Sequence, residues 1–278
     1  MTKIIVTHKS PDLDAICSVW LLKRFLPLWQ EAEVKFVPPG ETFLGEPPDS
    51  NPLIIHVDTG LGKLDHHRRK GYTSASELTM KKIFKEKKFS EIEKEALKRL
   101  VAVVTEIDNG RMIGWENASS DRYEFCLHNF ISGFEKKKSN EEIVSLGMVC
   151  LDGVFEVLKE KIMAEKILKK EGRVFKTRWG EGLAVESFAD QVLLVGQKMG
   201  YVLVARKDPK SGHLRIYSRF DKNVDLTSAF LEFKKKDPAA TWYLHPSKRL
   251  LLNGSRSDPK MVPTKLSLNK IIDILKKA

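Results

Sequence analysis

The run Lys3-Ile4-Ile5-Val6-Thr7-His8-Lys9-Ser10-Pro11-Asp12-Leu13-Asp14 decides the fold. Its first five residues are apolar and β-branched enough for a short strand, and a helical pattern begins near Ile16 and lasts to Phe25, so His8 to Asp14 form the intervening turn. A second such run, Leu53-Ile54-Ile55-His56-Val57, ends on Asp58 and the turn Thr59-Gly60-Leu61-Gly62. Both read as buried parallel strands. Open α/β sheets hold ligands at the carboxyl ends of such strands.

Asp65-His66-His67 follows closely, and Asp108 stands in Thr105-Glu106-Ile107-Asp108-Asn109-Gly110. Together these segments offer the carboxylates and imidazoles that a two-metal hydrolase needs, one carboxylate being shared between the ions. Asp12 and Asp14, two apart in a turn, can approach neighbouring ions rather than chelate one. His56, inside an apolar strand, reads as a hydrogen-bonded core residue and is left out. Asp108-Asn109-Gly110 also fits an ordinary helix-ending turn, and Asp65 also fits a turn cap.

In this order the motifs resemble the DHH phosphoesterase superfamily, which includes RecJ-like exonucleases, short-oligonucleotide and cyclic-dinucleotide phosphodiesterases, and family II inorganic pyrophosphatases. His8, Pro11, Asp12, Asp14, Ala15 and Ile16 match its first motif, Asp58 its second, Asp65-His66-His67 its third and Asp108 its fourth. The resemblance implies that His8, Asp12 and Asp58 hold one metal, and that Asp14, Asp58, His66 and Asp108 hold the other, with Asp58 as the bridge. It also implies that His67 faces the substrate phosphate while Asp65 orients an imidazole. Oxygen and imidazole ligands without thiolate suit two Mn²⁺ ions, or Mg²⁺. The first motif is most similar to family II pyrophosphatases, whereas Glu106-Ile107-Asp108-Asn109-Gly110 and the late His245, Ser247 and Gly254 are similar to the melanocyte-proliferating-gene exonuclease family.

With 278 residues, 42% of them hydrophobic, the chain can bury a substantial core and is long enough for two domains. No apolar run approaches the ~20 residues of a membrane span, and the chain enters a strand without a signal-peptide pattern, so a cytoplasmic protein with no membrane partner is expected. Cys17, Cys126 and Cys150 are odd in number and lack CxxC spacing, which speaks against a disulfide framework and reads as core. Walker A, GxGxxG and GxSxG patterns are absent. The net charge of +11 fits a polyanionic substrate, although Lys85 to Lys88, Lys136 to Lys138 and Lys234 to Lys236 read as solvated helix ends and loops.

Three parts are expected along the chain: an α/β DHH metal-binding catalytic domain over 1–140 with a mainly parallel sheet, a helical linker over 141–171, and a smaller α+β substrate-binding domain over 172–278. In the last part, alternation from His213 to Phe220 puts His213, Arg215, Tyr217 and Arg219 on one strand face, able to hold phosphates and stack a base. The same residues also fit a plain exposed sheet face. His245, Ser247, Lys248 and Arg249, with Asn253-Gly254-Ser255-Arg256, form a second basic cluster. Only Gly212-His213 stands where many superfamily members carry a Gly-Gly-Gly-His loop, and Ser255-Arg256 with Lys260 is a loose counterpart of the pyrophosphatase substrate segment. The expected activity is Mn²⁺-dependent hydrolysis of single-stranded or short oligonucleotides, as a phosphodiesterase or exonuclease. A pyrophosphatase, a hydrolase of another small phosphoanhydride or of cyclic dinucleotides, and a basic nucleic-acid-binding protein with a structural metal are the other readings.

Overall fold

The structure, a computed structural model, describes residues 2–254 and 260–278. Residues Ser255 and Arg256 of the second basic cluster lie outside that range. The chain divides into two compact units, Met1–Lys159 and Glu160–Ala278.

The first unit is an α/β layer around the parallel strands β1 (Ile4–His8), β2 (Glu33–Val37) and β3 (Ile54–His56), in the order β2-β1-β3. β1 is central, with Ile5 and Val6 fully buried. Because chain order reverses across β1, the switch point lies between the carboxyl ends of β1 and β3, where such sheets open a ligand crevice. β2 escapes the sequence reading because it alternates Glu33 and Lys35 with apolar residues, the pattern of a half-solvated edge strand.

Helix α1 (Leu13–Phe25) starts three residues earlier than the apolar pattern suggests. The Asp12 carboxylate accepts from the Ala15 amide and caps it, so Asp14 belongs to the first helical turn rather than to a loop. α1 is buried on nearly every side, with Ile16, Val19, Trp20, Leu21 and Leu22 fully covered. Two helices pack on it, α2 (Ala75–Glu86) and α3 (Glu91–Asp108), the latter opened by the Ser90/Glu93 capping box that the sequence indicates. A short helix, α4 (Leu127–Ser132), precedes α5 (Asn140–Glu171).

The boundary between the units falls inside α5, the helix that covers the expected linker over 141–171, and both units draw on it. Ile143, Leu151 and Phe155 are buried in the first unit, whereas Ala164 and Leu168 belong to the core of the second. A helix with a buried stripe along its length is part of each core.

The second unit is a six-stranded mixed sheet of β4 (Arg173–Thr177), β5 (Gly180–Glu186), β6 (Leu203–Lys207), β7 (Leu214–Ser218), β8 (Tyr243–Leu244) and β9 (Leu250–Asn253), ordered β4-β5-β6-β7-β9-β8. Only β5 and β6 pair in parallel, joined through α6 (Gln191–Lys198). One core includes α7 (Thr227–Lys236) and α8 (Leu268–Lys277), and another includes α6. Sequence reading missed α7, whose last turn is the run Lys234 to Lys236. Cations there favour the helix carboxyl end. Cys17 is buried, but Cys126 and Cys150 are only partly so, a correction to their reading as core.

The contact between α1 and α5 in the first unit is close. A Cβ at Gly147 would lie 2.7 Å from Cγ2 of Ile16, a branched atom in the core that has no room to withdraw. Gly147→Ala, although favourable by up to ~1 kcal/mol for an isolated helix, is expected to lower stability by about 1 kcal/mol net, because overpacking costs ~1–3 kcal/mol. Urea unfolding measures it, and a gain in stability contradicts the packing.

Candidate metal centre

Asp58 sits one residue beyond Val57, whose amide donates to Val6 O, and its own amide donates to Leu64 O. These bonds hold it at φ 55°, left-handed backbone that costs a non-glycine residue of order 1 kcal/mol. Aspartate bears this better than most side chains. Asp58 is 3% exposed, and its carboxylate lies between His8, at the end of β1, and His66, in the connection that follows β3. Its Oδ2 is 3.3 Å from His8 Nε2, and its Oδ1 is 3.3 Å from His66 Nδ1.

Two clusters flank it. Ligand atoms of His8, Asp12 and Asp58 lie within 4.8 Å of one another, as do those of Asp14, His66 and Asp108. Asp108 ends α3, and its Oδ2 is 3.3 Å from His66 Nε2. Asp58, Asp65, His66 and His67 form a third such group. The first group repeats the implied set His8, Asp12 and Asp58, the second holds Asp14, His66 and Asp108 without Asp58, and the third adds Asp65 and His67, which the resemblance does not count as ligands.

The donors suit divalent cations. Asp58 Oδ1 and His66 Nδ1 are both buried, close, and without an aligned hydrogen-bond partner. Two such orphans ask for a third atom that each can ligate. Hard oxygens and imidazoles with no thiolate fit Mn²⁺ or Mg²⁺.

The electrostatics state the same demand. Burial opposes charge on His8, but its bond to Asp58 prevails and lifts the imidazole to about 9. Asp58 itself, despite burial, is held down to about 2 by His66 and His8. His66 is raised to about 9 by Asp58 above all, against its burial. Asp14 is pushed up to about 7 by burial, then by the charges of Asp58 and Asp108. Asp108 rises to about 6, chiefly by burial, with Asp58 and Asp12 adding to it against His66. Protons therefore stand where cations would otherwise balance the carboxylates.

Sequence reading missed the support beneath Asp14. Its Oδ2 accepts from the Ala75 amide at 2.7 Å and its Oδ1 from the Ser76 amide at 2.9 Å, which puts the carboxylate on the amino end of α2. Ser74 caps that helix and bonds Ser76 and Thr105 through its hydroxyl. The spacing Ser74 to Glu77 signals the cap, though not that a distant aspartate shares it.

Asp65 accepts from the Leu61 amide with one oxygen, and with the other meets the His67 amide and His67 Nδ1, the last at 2.7 Å. The exposed His67 ring stacks on His66 with centroids 4.4 Å apart. With Nδ1 engaged, Nε2 is the nitrogen left for a ligand. His56 accepts from the Phe43 amide, and burial lowers its basicity, so it is a neutral residue that anchors a loop.

In the second unit the two arginines of the expected basic face, Arg215 and Arg219, already have carboxylate partners. Arg215 is paired with Asp190 at 2.7 Å, and Arg219, beyond the strand end, is paired through two nitrogens with Asp221 at 2.8 and 2.6 Å. Tyr217 packs against the core that includes Leu193 and Val204. The ring is half-buried, so only part of it is open for stacking. Lys248 is paired with Asp225, His245 with Ser247, and Arg249 donates to Phe220 O. Tyr217, Arg219, Ser247 and Arg249 nevertheless line one groove of about 680 Å³, while Arg215 lies in another with Asp190 and His213.

No family model and no curated protein matches the chain. Among solved structures it is similar to a DHH-domain protein described as a member of a family of ribosomal proteins, with 10% identity and a TM-score of 0.34 over 99% of this chain and 86% of that one. It is also similar to RecJ of Thermus thermophilus in complex with Mg²⁺, with 11% identity and a TM-score of 0.31 over 99% of this chain and 49% of that one. The chain thus spans about half the length of that RecJ.

The charge pattern predicts how stability depends on pH. His8 and His66, raised to about 9 from 6.5, contribute stability that is complete below pH 6.5 and lost as pH rises through 9. Asp14 and Asp108, raised above 3.8, add a loss with the same sign through about pH 7 and 6. Chelator-treated protein should therefore melt at falling temperature from pH 5.5 to 9. Excess Mn²⁺ should oppose this trend and release protons on binding at neutral pH. Scanning calorimetry and titration in unbuffered solution measure both, and a metal-free stability that rises over this range contradicts the proton-held centre.

Proposed function

We propose that the chain is a DHH-type metal-dependent phosphoesterase that uses two Mn²⁺ ions to hydrolyse phosphodiester bonds in single-stranded or short oligonucleotides. The observation that carries this reading is Asp58, whose two oxygens face His8 on one side and His66 on the other at 3.3 Å each. A buried carboxylate between two ligand clusters is the part a bridged metal pair requires.

His8, Asp12 and Asp58 would hold one ion and Asp14, Asp58, His66 and Asp108 the second. Such a pair, when bound, supplies Lewis-acid polarisation of a phosphoryl group and a hydroxide near neutral pH. The chain's own residues do the rest. His67, fixed by Asp65, presents Nε2 to a phosphate oxygen. Asp14, held on the amides of α2, sets the distance between its helix and the cluster. Asn109 Nδ2, which donates to Thr73 O and Thr105 O, secures the helix end that carries Asp108. The second unit by itself carries a groove lined by Tyr217, Arg219, Ser247 and Arg249, with His245 and Lys248 near Ser247 in sequence, a basic surface that suits nucleic-acid phosphates.

Arg215 and Arg219 already have carboxylate partners, and this favours a short substrate over a long one. A small phosphoanhydride such as pyrophosphate is accordingly the second reading. Assays with Mn²⁺ on labelled RNA, DNA, dinucleotides and pyrophosphate in parallel separate the two. We expect phosphodiester cleavage to dominate; pyrophosphate turned over far faster than any nucleotide establishes the second reading instead.

Variants test the roles. Asp58→Asn should abolish turnover and metal retention, with a greater loss than Asp108→Asn, which touches one cluster. His67→Ala should keep the bound manganese measured by elemental analysis while losing rate, whereas His66→Ala should lose metal. Asp65→Asn, acting through His67, should cost ~10–100-fold in activity. Near-normal turnover by Asp58→Asn refutes the shared carboxylate.

A further inference from the structure

Tyr72 and Arg111 form a pair that the proposed phosphoester chemistry does not use. The Arg111 guanidinium lies over the Tyr72 ring at 3.8 Å from its centroid, the shortest cation–ring distance among the described residues. Both side chains are exposed, Tyr72 to 46%. Stability alone gives such an exposed pair little reason, since it contributes only ~0.5–1 kcal/mol.

Its attachment to the metal centre is specific. Tyr72 stands five residues after His67 and two before Ser74, the cap of the helix whose first amides hold Asp14. Arg111 stands three residues after Asp108, in a 3₁₀ turn. Asn109 joins the two segments by donating to Thr73 O at 3.0 Å. Gly71 at φ 102° and Gly110 at φ 69° turn the chain immediately before each member, conformations that strongly favour glycine. Two sharp glycine turns thus present a guanidinium lying over a phenol ring, on the segments that carry His67 and Asp108.

We propose that Tyr72 and Arg111 form a nucleobase-stacking site at the rim of the metal centre, receiving the base next to the phosphate held by His67. This rests on the phosphoester reading and narrows its substrate to nucleotides. A stacked guanidinium and phenol together offer a flat, weakly hydrated surface that suits a base of any sequence. A base there needs no hydrogen-bond partner, so the site selects nucleotide over bare phosphate without selecting among sequences. It takes over the stacking role that the packed Tyr217 ring is poorly placed to fill. Pyrophosphate, which has no ring, would gain nothing from it.

The experiment is a calorimetric titration of the full chain with Mn²⁺, using AMP and ribose 5-phosphate as probes that share a phosphate and a sugar and differ by the base. The wild type should bind AMP about 5- to 150-fold more tightly, the equivalent of a ~1–3 kcal/mol base stack. Tyr72→Ala should bring that ratio close to one while leaving ribose 5-phosphate affinity unchanged, and Tyr72→Phe should retain it. Arg111→Lys should lose part of it, because an ammonium keeps the charge but not the plane. Equal affinity of the wild type for the two probes, including no measurable binding of either, overturns the stacking site, as does an unchanged ratio in Tyr72→Ala. Failure of the phosphoester reading has a separate signature: no Mn²⁺-dependent hydrolysis of any phosphoester, whatever the ratio. A preference for AMP that vanishes in Tyr72→Ala upholds the stacking site.

Discussion

Four carboxylates, Asp12, Asp14, Asp58 and Asp108, converge in the first unit, and two of them are almost wholly buried. Buried anions are tolerated only when something opposite or hydrogen-bonding meets them. Asp58 has two imidazoles, Asp14 has two helix amides, Asp12 caps α1 and Asp108 meets His66. Apart from the Asp12 cap and the His66 contact of Asp58, which lies within the same β3–α2 connection, those partners come from other chain segments than the carboxylates themselves. The centre therefore cannot form until β1, β3, α1, α2 and α3 have all taken their places. The same arrangement that makes the centre costly makes it a candidate cation site.

The sheet order explains why these segments meet. With β1 in the middle, its carboxyl end opens toward β3 at the switch point. His8 and Asp58 stand at those two ends. Helix α1 leaves the crevice with its amino end, so Asp12 and Asp14 begin it, while α3 arrives with its carboxyl end and delivers Asp108. A helix amino end welcomes Asp14 through its amides, whereas Asp108 at a helix carboxyl end is electrostatically misplaced. That misplacement agrees with the raised affinity of Asp108 for protons and is relieved when a cation or an imidazolium stands beside it.

Much of the first unit was legible because its ligands sit on sharp sequence signals. Asp12 and Asp58 follow β-branched runs, and Ser90 with Glu93 announces α3. The edge strand β2 was not legible, since its alternating charges resemble a loop, and neither was the use of α2's amino end by Asp14, a contact across about sixty residues that no local pattern encodes. In the second unit the strands were visible, but the fate of the cations was not. A strand reads as having a basic face when its own residues are counted, yet Asp190 and Asp221 come from outside β7 and neutralise that face. α7 was hidden for another reason: Leu226 at its start gives no side-chain cap, and its lysines mask the apolar stripe through Ala229 and Phe233.

Paired guanidiniums in the second unit also bear on how a substrate would be chosen. An arginine already in a two-nitrogen contact with a carboxylate, as Arg219 is with Asp221, must give up that contact or share it before it can grip a phosphate. Binding there is discounted by the exchanged ion pair, and the surplus charge of the chain does not convert directly into affinity. The first unit carries no such discount at His67, whose carboxylate contacts, to Asp65 at 2.7 Å and Asp58 at 3.8 Å, are both made by Nδ1 and leave the far nitrogen open. A ligand at His67 would thus meet a locally braced ring, whereas one at Arg219 would have to exchange an existing ion pair.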